Sequence, residues 1–160
     1  MDLDNAQVLW TLGLLPQEQL PAIACELLEA GQDTDSLRVL AGLSGDQVAE
    51  AAPLFRRVLQ QLGKANISKE QAMRQLARIV SQQIVDGSID AYAGAKKLSD
   101  ATIRASLLDF HEVDPFIYAA SEYEDRPADR QFFEEEILKE AKRWLMERGN
   151  DHEPHENGDR

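Results

Sequence analysis

The fold is decided by the stretch Val48-Ala49-Glu50-Ala51-Ala52-Pro53-Leu54-Phe55-Arg56-Arg57-Val58-Leu59-Gln60-Gln61-Leu62-Gly63. Its apolar residues recur at spacings of three and four, which is the period of one helix face, and the pattern ends at a glycine. This predicts an amphipathic helix. Pro53 lies inside the pattern, so we expect a kink there or a break into two pieces around Ala52.

Helical patterns continue on both sides of this stretch. Ser68 and Gln71 have the spacing of a capping box, which predicts a helix that runs to Asp86 and is capped by Gly87. Further helices are predicted over residues 3–12, 17–30, 36–41, 90–104, 116–124 and 127–148. Strand signals are nearly absent. We therefore predict an all-α protein whose residues 1–148 form a single-domain helical bundle of about six to eight helices, with a close helix crossing at Gly94.

Composition excludes several classes of protein. The chain has 160 residues and a net charge of -12, and no apolar run is long enough for a membrane span. The acidic start does not resemble a signal peptide, so we expect a cytoplasmic protein. The negative charge disfavours direct binding to nucleic acid or to an anionic membrane, and it favours a protein partner with a basic surface.

Cys25 is the single cysteine, which excludes an internal disulfide and a multi-cysteine zinc site. Its apolar neighbours predict that it is a small core residue.

Residues 149–160 contain no aliphatic or aromatic side chain, so we expect a disordered acidic tail there.

The segment from Asp109 to Asp125 carries the strongest candidate for function. It holds six acidic residues and no lysine or arginine, and aromatic residues lie among them. Aromatic anchors with a charged rim are typical of protein interfaces. The alternative is that the aromatic side chains belong to the core and the acids to a solvated face. The predicted partner-binding residues are Asp109, Glu112, Asp114, Tyr118, Glu122, Tyr123, Glu124 and Asp125.

The same segment allows a second hypothesis from another class. Asp109 with Glu112, and Glu122 with Asp125, are carboxylate pairs at i, i+3, and such pairs on facing helices can hold a divalent cation such as Mg²⁺. The pairs resemble the acidic motifs of all-α nucleotide pyrophosphohydrolases, which implies a metal-dependent nucleotide hydrolase. A third hypothesis is an adaptor or regulatory subunit of a larger assembly.

Other catalytic signatures are missing from the sequence. His111 is the single histidine before the tail, and no serine or cysteine nucleophile is marked by a motif. There is no phosphate-binding glycine loop, dinucleotide-binding turn or zinc-finger spacing. We therefore expect no cofactor and no catalytic residue.

Four short motifs carry a resemblance to known proteins: Leu27-Leu28-Glu29-Ala30-Gly31, Ser36-Leu37-Arg38-Val39-Leu40-Ala41-Gly42, Asp86-Gly87-Ser88-Ile89-Asp90-Ala91-Tyr92-Ala93-Gly94-Ala95 and Ser121-Glu122-Tyr123-Glu124-Asp125. In these the chain resembles an uncharacterised group of small all-helical bacterial proteins, similar to immunity proteins, up to about Ala141. The resemblance implies a bacterial all-α protein and carries no active site. Together with the acidic surface, it leads us to expect a non-catalytic immunity protein or antitoxin that occludes a basic toxin enzyme.

Overall fold

The computed structural model describes residues 1–147, and these are helical with no strand among them. The all-α prediction is confirmed. The tail predicted over 149–160 and the boundary predicted at 148 lie outside the described residues. Within the described part there are eight α-helices: α1 (Leu3–Thr11), α2 (Leu20–Glu29), α3 (Asp35–Ala41), α4 (Ala51–Gln61), α5 (Lys69–Asp86), α6 (Ala91–Arg104), α7 (Asp114–Asp125) and α8 (Arg130–Glu147).

Three short 3₁₀ helices directly precede α2, α4 and α8, so these three α-helices begin later than predicted. The 3₁₀ helices span Gln17–Gln19, Gly45–Glu50 and Pro127–Asp129. The apolar pattern places Pro53 inside a helix that starts at Val48, but the α-helix starts only at Ala51, directly after the second of these 3₁₀ helices. Pro53 thus lies in the first turn of α4, where its missing N–H is not needed by the helix.

Local signals in the sequence are confirmed at the ends of α5. Ser68 Oγ accepts a hydrogen bond from the Gln71 N–H at 3.1 Å, and Gln71 Oε1 accepts one from the Ser68 N–H at 2.9 Å. These are the two bonds of a capping box. Gly87 ends the helix in the left-handed conformation, at φ 79°, which only glycine adopts without strain.

The chain divides into two compact units. Unit 1 consists of Met1–Leu76 with Ala101–Leu107, and unit 2 consists of Ala77–Asp100 with the described residues from Leu108 onward. In unit 1, α3 packs against both α2 and α4. Its core holds the following buried residues: Leu3, Ala6, Leu15, Leu20, Ile23, Ala24, Leu27, Leu37, Leu40, Ala51, Phe55, Val58 and Leu59.

The prediction that Cys25 is buried is wrong, since its side chain is exposed. Successive helix residues are rotated by about 100°. Ile23, Ala24 and Leu27 turn into the core of unit 1, and Cys25 therefore points away from them. The Sγ atom lies 3.8 Å from the carbonyl oxygen of Ala41.

In unit 2, α7 packs against α8. The close helix crossing predicted at Gly94 is confirmed: a Cβ atom at this position of α6 would lie 2.6 Å from Cδ1 of Ile84 in α5. No helix among residues 1–147 is both long enough and apolar enough to cross a membrane.

Candidate partner-binding surface

Helix α7 has a well-defined inward face. Pro115 lies in its first turn, where proline favours the start of a helix. Phe116, Ala119 and Ala120 follow at spacings of three and four and are buried. The ring of Phe116 lies 6.4 Å from that of Trp144 in α8. Burial of these side chains fixes which side of α7 faces solvent.

The opposite side of α7 presents an acidic stripe, which we define as Asp114, Tyr118, Glu122 and Asp125. These residues are spaced by four, four and three positions, so they lie on one side of the helix. The Tyr118 side chain is 63% exposed. A large aromatic side chain is thus held in solvent with a carboxylate about one helical turn to either side of it.

The stripe retains much of its negative charge. Asp125 forms no ion pair with any residue of the described chain, while Glu122 Oε2 lies 3.2 Å from Arg126 Nε. His111 Nδ1 lies 3.0 Å from Asp114 Oδ2, and both side chains are more than half exposed. Exposed pairs of this kind contribute little stability and exchange easily for other partners.

Tyr123 and Glu124 lie outside the stripe and interact with other parts of unit 2. The Tyr123 ring stacks on Tyr92 of α6 with centroids 4.3 Å apart and planes 14° apart. The Arg130 guanidinium covers the same ring at 4.9 Å, and its Nε donates a hydrogen bond to the Tyr123 carbonyl at 3.3 Å. A partner that used Tyr123 as an anchor would have to displace these two side chains.

The carboxylate of Glu124 is held by two groups of α6. Tyr92 Oη donates a hydrogen bond to it at 2.5 Å, and Lys96 Nζ lies 3.7 Å away. The Tyr92 hydrogen bond, followed by the charge of Lys96, lowers the pKa of Glu124. The same hydrogen bond raises the pKa of Tyr92. The hydrogen bond therefore stabilises the folded chain at pH values between the pKa of Glu124 and the pKa of Tyr92. Its contribution is lost as the pH falls through the lowered pKa of Glu124 or rises through the raised pKa of Tyr92.

The remaining two predicted residues precede α7. Asp109 is exposed and forms no ion pair within residues 1–147, whereas Glu112 is half-buried. The described residues contain no group of three or more His, Cys, Asp or Glu side chains that could hold a metal ion. The carboxylates of the metal hypothesis, Asp109, Glu112, Glu122 and Asp125, are therefore not gathered into such a group.

Three residues that sequence reasoning missed determine the environment of Tyr123 and Glu124. Tyr92 and Lys96 lie one turn apart on α6, and Arg130 begins α8. Tyr92 and Glu124 are 32 positions apart in the chain. The sequence does carry one signal for the inward position of Tyr123. Tyr123 follows the buried Phe116 by seven residues, so the helical period places both on the same side of α7.

The chain was also compared with proteins of known family and structure. No known protein family, curated protein or solved structure is significantly similar to it. Function is therefore inferred from the chemistry of the residues described above.

Proposed function

We propose that this chain is a non-catalytic binding protein whose acidic stripe docks on the basic surface of a partner protein. The observation that carries the proposal is the exposure of Tyr118, 63% of whose surface is open to solvent between carboxylates. Tyrosine is enriched among the residues that dominate binding energies, since it buries a large area with little loss of side-chain entropy.

Electrostatics favour a cationic partner. The chain carries a net charge of -12, and within the described residues Asp109 and Asp125 have no ion pair that a partner would need to break. Carboxylates form their strongest hydrogen bonds with arginine, often through both oxygens. Complementary charge also accelerates the encounter between two proteins at low ionic strength.

The partner class we propose is a toxin enzyme that uses lysine or arginine to bind phosphates. The chain would act as its immunity protein or antitoxin, located in the cytoplasm. Inhibition would occur by occlusion: the acidic stripe covers the cationic residues that the toxin needs for its substrate, while Tyr118 fills an adjacent pocket. No bond would be made or broken by the chain itself.

The test compares three tagged forms of the full chain as baits in extracts of the native cell. These are the wild type, an Asp114→Lys/Asp125→Lys variant of the stripe, and a Glu18→Lys/Glu29→Lys control with the same change in net charge. Both control residues are exposed and belong to unit 1. We expect a basic protein that the wild type and the control retain and the stripe variant loses.

The captured protein is then purified and titrated by calorimetry. We expect Tyr118→Ala to weaken binding by about 2 kcal/mol, or roughly thirtyfold in Kd, because the residue would be an interface anchor. Equal affinity of wild type, stripe variant and Tyr118→Ala would contradict the proposal. If the chain captures a protein but inhibits no enzymatic activity of that protein, the result would instead support the adaptor hypothesis.

The hydrolase hypothesis is tested separately. The purified chain is incubated with Mg²⁺ or Mn²⁺ and a panel of nucleotides, and released phosphate is measured. A binding protein releases none above background. Phosphate release that is lost in Glu122→Gln would contradict the proposal and favour an enzyme.

A further inference from the structure

Unit 1 contains a cleft that the acidic stripe does not involve. It has a volume of about 460 Å³, which falls within the usual range of small-molecule sites. Helix α1 lines it with Gln7, Trp10 and Thr11, at spacings of three and four, so these three side chains share one face. Helix α4 contributes the same spacing through Arg56, Leu59 and Gln60.

The loop between α4 and α5 contributes Asn66 and Ile67 to the wall of the cleft. This loop is fixed to α1 at two points. Gln7 Nε2 donates a hydrogen bond to the carbonyl oxygen of Ala65 at 2.7 Å, and Lys64 forms an ion pair with Asp4. Gln7 is buried, so the donor of this bond is largely protected from water, while the acceptor residue Ala65 is exposed. The cleft wall is thus built by contacts that join distant parts of the sequence.

The aromatic wall of the cleft is also held in place. The Trp10 ring packs against the buried ring of Phe55, edge to face, with centroids 5.6 Å apart. Trp10 remains partly exposed on its cleft side. A restrained indole offers a flat apolar surface that costs little entropy when a ligand covers it.

The charge of the cleft contrasts with that of the chain. In a protein of net charge -12, Arg56 is the single charged side chain of the wall, and it forms no ion pair with the residues of 1–147. A guanidinium binds carboxylates and phosphates through two parallel hydrogen bonds. The amides of Gln60 and Asn66 can both donate and accept. Thr11 donates its hydroxyl hydrogen to the Gln7 carbonyl oxygen at 2.8 Å, so its oxygen is left as an acceptor.

From these contacts we infer that the cleft between α1 and α4 binds a small organic anion, with its carboxylate or phosphate on Arg56 and a flat body against Trp10. The amides and the Thr11 oxygen would pair with polar groups on the ligand's rim. The cleft shares no residue with the acidic stripe, so this proposal does not rest on the proposed partner-binding function.

The experiment uses the full chain labelled with ¹⁵N and follows its two indole N–H signals by NMR. Trp144 is 4% exposed and does not line the cleft, so its signal is an internal reference. The probes are benzoate, phenyl phosphate and neutral benzamide, which have similar rings and differ in the group offered to Arg56. We expect a saturable shift of the Trp10 signal with benzoate, phenyl phosphate or both, and binding of benzamide at least about tenfold weaker.

Variants of two neighbouring arginines complete the test. Arg56→Gln should raise the Kd of the bound anion by about tenfold or more, while Arg57→Gln, which removes an exposed charge outside the cleft, should leave it within about twofold. Retained dispersion of the backbone amide signals without probe establishes that each variant is folded. The inference is overturned if neither anion shifts Trp10, if benzamide binds as well as the anions, or if both arginine variants weaken binding equally. Preference for benzoate identifies a carboxylate ligand, and preference for phenyl phosphate identifies a phosphate ester.

Discussion

Replacement of Gly94 by alanine tests how closely α6 approaches α5 within unit 2. The added Cβ would lie 2.6 Å from Ile84 Cδ1, 2.7 Å from Ile84 Cγ1 and 3.2 Å from Val80 Cγ1. Carbon atoms in favourable contact are about 3.5 to 4.0 Å apart, so the Ile84 side chain would have to withdraw by about 1 Å. Ile84 and Val80 are both buried, and a buried side chain has little room to withdraw.

Two opposing effects set the magnitude. An alanine in a helix interior is favoured over glycine by about 1 kcal/mol, whereas forcing an extra methyl group into a packed core costs about 1 to 3 kcal/mol. We therefore expect Gly94→Ala to lower the free energy of unfolding by about 1 kcal/mol. The assay is urea unfolding followed by far-ultraviolet circular dichroism, which reports the loss of helix directly.

Gly42→Ala is the matched control. At this position φ is -88°, and the nearest atoms to an added Cβ are carbonyl oxygens at 3.6 and 3.7 Å. The control should therefore change the free energy of unfolding by less than about 0.5 kcal/mol. Ile84→Val removes the closest carbon, so it should cost at least about 0.5 kcal/mol less in the Gly94→Ala background than alone. A Gly94→Ala variant about 1 kcal/mol more stable than the wild type, with no coupling to Ile84→Val, would refute the close approach.

Three further outcomes are expected. Phe55→Ala should lower the free energy of unfolding by about 3 to 5 kcal/mol, because the side chain is fully buried; a loss below 1 kcal/mol in urea unfolding would be too small for a core residue. Ser68→Ala removes the acceptor for the Gln71 N–H and should cost about 1 kcal/mol by the same assay, and no loss would mean that the capping bond does not stabilise α5. The hydrogen bond to Glu124 raises the pKa of Tyr92 above the ordinary tyrosine value of about 10. The bond should stabilise the fold up to that ordinary value and lose its effect as the pH rises through the raised pKa. Tyr92→Phe should therefore remove a step from the part of the tyrosinate absorbance titration above pH about 10, and retention of that step would contradict the assignment.

Helix positions could be predicted from the sequence because their signals are local. The capping box at Ser68 and Gln71 and the C-terminal cap at Gly87 act within a few residues, and both are confirmed. The predicted burial of Cys25 is wrong because it treats an apolar stretch as uniformly buried, whereas a helix buries one face. Ala24 and Leu27 occupy that face and Cys25 does not.

The candidate sites depended on contacts that no local pattern encodes. Sequence reasoning grouped Tyr118 and Tyr123 together because both lie among acids, but α7 turns one outward and packs the other against Tyr92. Similarly, Trp10 and Arg56 each read as part of an ordinary amphipathic helix. Only the packing of α1 beside α4, together with the loop between α4 and α5, gives these two side chains a common cleft.

The loop between α4 and α5, which lines this cleft, is held in place at both of its ends. Exposed loops ordinarily tolerate insertions well, but this one is fastened to α1 through Lys64 and Ala65 on one side and enters the capping box of α5 on the other. One extra residue would add roughly 3 Å of chain between two fixed points and push Asn66 out of register. Insertions and deletions in this loop should therefore be tolerated as poorly as changes in the core beneath it. Changes of loop length, natural or engineered, are expected in other surface loops.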